Sequence, residues 1–227
     1  MKNLYLPYHN NCYYPSAELM LTSIIKNKKI CLLCTGGSLD LLNIECHKYD
    51  LVCGVNRIYQ TKYAKHVDIF FHGCQNVDRA ELSFPKIFSE NEQAKIILMP
   101  IARSLSNEHI KQINYIENLM RVNKNIIFNI SFASMAKIKY GTGIYNGINS
   151  LRYILEYQPQ FVDVFGMDFY TNGYTQDTNH KQLKQYKNIS HDTKINFKVF
   201  SDILKQNGNV NWIIDKRSRS ILNKQIK

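Results

Sequence analysis

The sequence predicts an α/β protein: a single Rossmann-like domain with a mostly parallel central sheet and helices on both faces. Three observations lead there. Short β-branched or apolar runs alternate with stretches whose apolar residues recur at helical spacing, the order expected of a parallel sheet covered by its own crossovers. The 227 residues, 44% of them hydrophobic, suffice for one sizeable core, and no Pro/Gly/Ser linker or internal repeat divides them. A glycine turn follows the first clear strand, where α/β sheets bind ligands.

Strands are expected at 29–34, 51–55, 67–71, 95–99, 125–128, 161–165 and 210–214, and helices at 17–26, 108–122, 143–157 and 192–206. The stretch 171–190 is polar, rich in Tyr and Lys, and has little to bury, so it is expected to form a long loop or lid. Residues 1–227 therefore read as one domain with a lid segment.

The six cysteines sit mostly in apolar runs, as buried thiols do in a reducing compartment. Cys31 and Cys34 form a CxxC, but within an expected strand and without a second pair to complete a zinc site, so core packing is expected. No run approaches the roughly twenty apolar residues of a membrane span, and the opening MKNLYLPYHNNCYYP has no signal-peptide core. A cytoplasmic protein is expected.

The formal charge of +11 favours an anionic partner: nucleic acid, lipid headgroups or a phosphorylated substrate. The lysines are scattered rather than gathered into an aromatic-interleaved stripe, which argues against nucleic acid. Two local clusters stand out, Lys26, Lys28 and Lys29 before the first strand, and Lys216, Arg217 and Arg219 near the end. The segment 213–226 reads either as a weak membrane-surface contact or as a final exposed helix.

Candidate site residues lie at carboxyl ends of the expected strands. Thr35, Gly36, Gly37 and Ser38 follow the first strand, where backbone N–H groups and a helix start attract anions and glycines admit a phosphate or ribose. These residues also spell an ordinary strand-to-helix turn. Asn56 ends the second strand and offers an amide to a base or ribose; a solvent-facing asparagine is the plain alternative. A second glycine turn, Gly141, Thr142 and Gly143, opens a helix and makes Thr142 an N-cap or a ligand-facing hydroxyl. The strand at 161–165 runs into Gly166, Met167, Asp168, Phe169 and Tyr170, and the hydroxyls of Tyr170 and Tyr174 could donate to a phosphate without a metal. His191 closes the polar stretch at a helix start, which disfavours its charged form and leaves a neutral base; a surface histidine opening a helix is the plain reading.

Together these segments resemble sialyltransferases, chiefly the bacterial lipooligosaccharide type and more distantly the animal Golgi type. The resemblance spans about 29–223, with a weak middle at 73–125. It rests on four motifs in order: the glycine turn at Thr35–Ser38 leading to Asn56, the turn at Gly141–Gly143, the G-x-D-F-Y run at Gly166–Tyr170 with Tyr174, and His191 before the last long helix. It implies the sialyltransferase variant of the glycosyltransferase A fold, a CMP-sugar donor held by Thr35, Gly36, Gly37, Ser38, Asn56, Lys139, Gly141, Thr142, Gly143 and Asp168, and an acceptor glycan or glycolipid ending in galactose. It implies in-line inverting transfer with His191 as base, Tyr170 and Tyr174 on the departing phosphate, and no metal or cofactor, in keeping with the absence of a D-x-D run. A peripheral position at the inner membrane face and a homo-oligomer are further expectations.

The chain departs from the family at named positions. Thr35 stands where the bacterial motif has Asn, Lys139 where it has Arg, and the two tyrosines are two residues closer together. The alternatives are another nucleotide-binding Rossmann-like protein, of methyltransferase or pyrophosphokinase type, and a nucleic-acid binder. Against a methyltransferase, the second strand ends in Asn56 rather than an acidic residue.

Overall fold

The structure, a computed structural model, describes residues 15–72, 86–87, 89–98, 126–128, 143–169 and 192–226. The helix expected at 108–122 and the lid expected at 171–190 lie outside them. All seven expected strands form: β1 (Lys29–Leu33), β2 (Leu51–Val55), β3 (Ile69–His72), β4 (Lys95–Leu98), β5 (Ile126–Phe128), β6 (Phe161–Phe165) and β7 (Val210–Ile213). They build one sheet in the order β5-β4-β3-β2-β1-β6-β7, every neighbouring pair parallel.

The chain moves outward from β1 to β5 and then returns to the other side of β1 to lay down β6 and β7. The strand order thus reverses between β1 and β6, the switch point at which the carboxyl edge of such a sheet opens a crevice.

The period of two along β1 sorts its side chains into two layers. Ile30 and Leu32 pack with Leu21 and Ile25 of α1 (Pro15–Ile25), Ile148 and Leu151 of α2 (Asn146–Glu156), Phe200 of α3 (Thr193–Gln206) and Leu222 of α4 (Lys216–Ile226). Cys31 and Leu33 pack the other way, onto Leu39, Cys46 and Ile58 from short 3-10 turns. Both faces are covered, by α-helices on one side and, among the described residues, chiefly by 3-10 turns on the other. Every residue of β2 is buried, as its unbroken apolar run requires between two such layers.

The layers also settle the CxxC. Cys31 and Cys34 belong to opposite clusters, so the strand holds their thiols apart and they are free cysteines. Near the end of the chain, 216–226 is a helix that seats Ser218 and Leu222 in the interior and leaves Lys216, Arg217, Arg219 and Lys224 exposed. Among the described residues, no helix is long and apolar enough to cross a membrane.

Candidate functional site

A shallow cleft of about 340 Å³, counting the open solvent at its mouth, lies at the carboxyl edge of the sheet, at the β1/β6 switch point. Four segments line it: 34–36 after β1, 55–56 at the end of β2, 145–147 at the start of α2, and 166–169 after β6. Residues more than a hundred positions apart meet here because parallel strands end on the same edge.

The glycine turn is locked by Asp168. Its Oδ2 accepts a 2.8 Å hydrogen bond from the Ser38 N–H, and the residue is only 1% exposed. Gly36 passes so close that a Cβ would fall inside contact distance of Asp168 Oδ1 and the Gly166 carbonyl, while its own N–H donates to Gly166 O at 2.9 Å. Glycine is required here by close approach, since its φ of −72° is open to any residue. The amide that a phosphate would seek at this turn is thus taken by a carboxylate of the protein itself.

Asn56 joins β2 to a 3-10 turn with a φ of 52°, a left-handed conformation that asparagine tolerates better than most residues. Its Oδ1 accepts a 2.9 Å hydrogen bond from Asn146 Nδ2 at the start of α2.

The run after β6 is built residue by residue. Gly166 has a φ of 67°, and a side chain there would meet the Cys34 carbonyl. The Met167 carbonyl accepts from Trp212 Nε1 at 3.0 Å. Asp168 holds the glycine turn. Phe169, at a φ of 55°, is an outlier for a bulky residue. What holds it is an aromatic cluster: its ring lies edge-on to Phe197 at 5.4 Å, Phe200 at 5.7 Å and Trp212 at 6.3 Å, and tilted against Tyr145 at 6.0 Å. Asn56 and Phe169, two non-glycine residues in left-handed backbone, border the same cleft, strain of the kind that gathers at ligand sites.

The second glycine turn enters the helix later than the sequence predicts. Helix α2 begins at Asn146 rather than 143, because the buried Asn196 of α3 draws the preceding backbone out of helical geometry. Asn196 Oδ1 accepts from the Tyr145 N–H at 2.7 Å, and Nδ2 donates to the Gly143 carbonyl at 3.1 Å. Tyr145, the N-cap, gives no side-chain cap, and Tyr145, Asn146 and Gly147 at this helix start line the cleft. A Cβ on Gly147 would press on Met167 Cε and Cys34 Sγ, so this glycine lets α2 seat against β1.

The Cys34 residue borders the cleft but is buried. Burial, and then the Asp168 carboxylate, push its pKa far above the ordinary thiol range. Among the described residues, no group of three His, Cys, Asp or Glu side chains is placed to hold a metal ion.

Of the residues that sequence reasoning singled out, Thr35, Gly36, Asn56 and Asp168 line the cleft together. Gly37 and Ser38 are buried in the turn behind it, Ser38 Oγ without a hydrogen-bond partner among the described residues, and Gly143 is held by Asn196. Lys139, Gly141, Thr142, Tyr170, Tyr174 and His191 lie outside the described residues. Sequence reasoning passed over Asn146, Asn196 and Trp212. The two asparagines carried a faint signal: each stands within four residues of an expected helix start, where an amide usually bonds backbone.

No family model and no curated protein matches the sequence. Among solved structures the fold is similar to that of the sialyltransferase CstII from Campylobacter jejuni in complex with cytidine-5'-monophosphate, at 15% identity and a TM-score of 0.54 over 84% of this chain and 82% of that one. The same enzyme in complex with CMP-3FNeuAc matches at 14% identity and a TM-score of 0.52, over 83% and 81% of the two chains. The monofunctional alpha-2,3-sialyltransferase Cst-I from Campylobacter jejuni matches at 12% identity and a TM-score of 0.56, over 84% and 77%. At these identities the likeness is one of fold: a single α/β sheet of the kind the sialyltransferases use.

Proposed function

We propose that the chain is an inverting, metal-independent glycosyltransferase that moves sialic acid, or a similar acidic sugar, from a CMP-sugar donor to a hydroxyl of an acceptor glycan. The observation that carries this reading is the switch-point cleft, which gathers Thr35, Gly36, Asn56 and Asp168 in a fold that CMP-binding sialyltransferases share. A Rossmann-like sheet alone would suit many nucleotides; the G-x-D-F run, with Tyr170 directly after it and Tyr174 four residues on, narrows the choice.

In this reading the N–H groups opening α2 and the Asn56 amide receive the donor's nucleotide, and Asp168 keeps the glycine turn flush against it. Tyr170, the residue directly after the clamped Phe169, donates to the phosphate in this reading. His191 takes the proton of the acceptor hydroxyl as its oxygen attacks the anomeric carbon. The bond from that carbon to the phosphate oxygen breaks with its electron pair, and the tyrosine hydroxyls donate to the departing CMP.

A thermal melt with CMP and excess EDTA tests donor recognition. A CMP concentration of about 100 times Kd should stabilise the fold by about 2.7 kcal/mol, and an unmoved transition counts against the proposal. The base is tested by His191→Ala, expected to retain CMP binding while transfer falls by roughly 10²–10⁴-fold.

A further inference from the structure

We propose that Asn196 is a positioning residue that couples the donor side of the cleft to the helix start carrying the base. It sits in the first turn of α3, is 0% exposed, and bonds both sides at once. Toward the donor side, Oδ1 accepts from the Tyr145 N–H at 2.7 Å and Nδ2 donates to the Gly143 carbonyl at 3.1 Å. Toward the base side, Nδ2 donates to the Asp192 carbonyl at 2.8 Å. Asp192 is the N-cap of α3, its Oδ1 accepting from the Ile195 N–H at 2.9 Å, and it is the residue directly after His191.

The partners leave the amide one orientation. A backbone N–H faces its oxygen and two carbonyls face its nitrogen, so turning the group would break all three bonds. No other side chain of this size combines one acceptor with two donors. Aspartate would keep the bond from Tyr145 and set a negative charge against two carbonyls; leucine would satisfy nothing. A second strut runs beside it, the Tyr145 hydroxyl lying 3.3 Å from Thr193 Oγ1.

Two helix starts tied through one buried side chain move together. Tyr145 also lines the cleft and packs on Phe169, the residue before Tyr170. A ligand that seats on the opening of α2 therefore tightens the opening of α3, which begins directly after His191 in the sequence. This inference rests on the transferase reading for the identity of donor and base, but the clasp itself is testable without it.

The test compares wild type, Asn196→Ala and Thr193→Val by backbone hydrogen exchange with and without CMP, and by transfer kinetics against pH. In wild type, CMP should slow exchange both at the start of α2 and in the first turn of α3. In Asn196→Ala the slowing should survive at α2 and vanish at α3, kcat should fall about 10- to 100-fold, and CMP affinity should change less than kcat. The pH profile of kcat should also shift, since the helix start next to the base is no longer tied. Thr193→Val, at a partly exposed position, should show the same pattern at a few-fold scale, and it serves where Asn196→Ala does not fold.

If the variants only melt earlier, with the kinetic constants, pH profile and CMP-dependent slowing at α3 unchanged, Asn196 is structural and the proposal is overturned. If wild type does not bind CMP, the transferase reading fails separately, and exchange without ligand decides the clasp. Joint loss of protection at Tyr145 and the first turn of α3 in Asn196→Ala supports it; independent exchange of the two sites refutes it.

Discussion

Gly36 and Asp168 form the tightest constraint in the site, and each predicts a distinct failure. Gly36→Ala drives a methyl group into Asp168 Oδ1 and the Gly166 carbonyl, neither of which can yield without moving a strand end. It should cost about 1–3 kcal/mol in urea denaturation and abolish any stabilisation by CMP. Asp168→Asn keeps an oxygen for the Ser38 N–H and should fold, whereas Asp168→Ala strands that buried amide at a cost of about 1–3 kcal/mol. The ordering Asn above Ala in melting temperature checks the assignment. Cys34 offers a further residue-scale test. Its raised pKa and 5% exposure should leave it unalkylated by iodoacetamide at neutral pH until the protein unfolds, despite its place on the cleft wall.

At the scale of elements, the strands were legible because each is a short apolar run ending at a turn residue, and parallel strands buried on both faces need little else. Helix starts were less so. The Gly143 turn reads as a helix opening, yet α2 begins at Asn146, since a side chain 51 positions away from Tyr145 takes its N–H. Local patterning carries no trace of such a partner. The α3 start was legible because its cap is local: Asp192 bonds the Ile195 N–H three residues on. Helix α4 follows the same rule. Asp215 accepts from the Ser218 and Arg217 N–H groups at 3.0 and 2.9 Å, and from Ser218 Oγ. Burial would raise its pKa, but these donors outweigh burial and hold it below the usual carboxylate range. A depressed folded-state pKa contributes stability above the unfolded value of about 3.9 and loses it as pH falls through the folded value. Asp215→Ala should therefore cost about 1 kcal/mol at pH 7, and the difference from wild type should close below about pH 4. Equal urea midpoints at pH 7 would show that α4 does not depend on this cap.

At the scale of the molecule, the site was legible as a set of segments but not as contacts. The Asn56–Asn146 pair and the Asp168–Ser38 bond join residues 90 and 130 positions apart, and only the strand order β2-β1-β6 brings them to one edge. One whole-chain property needed no fold to be read, the excess of 29 Lys and Arg over 18 Asp and Glu. Among the described residues that line the cleft none is Lys or Arg, and Asp168 is the titratable carboxylate on its wall. A net positive chain of this kind sets up a summed field that would gather an anionic ligand before any contact forms. Such a field is screened beyond about 10 Å at 0.1 M salt. With a CMP-sugar as donor, kcat/KM for the donor should fall several-fold between about 20 and 200 mM salt, while kcat stays level because bound-state contacts are short and sheltered. The KM of a neutral acceptor glycan, measured in the same series, should not respond. A donor kcat/KM that ignores salt would assign the charge to solubility instead, and a kcat that falls with it would place critical lysines inside the cleft.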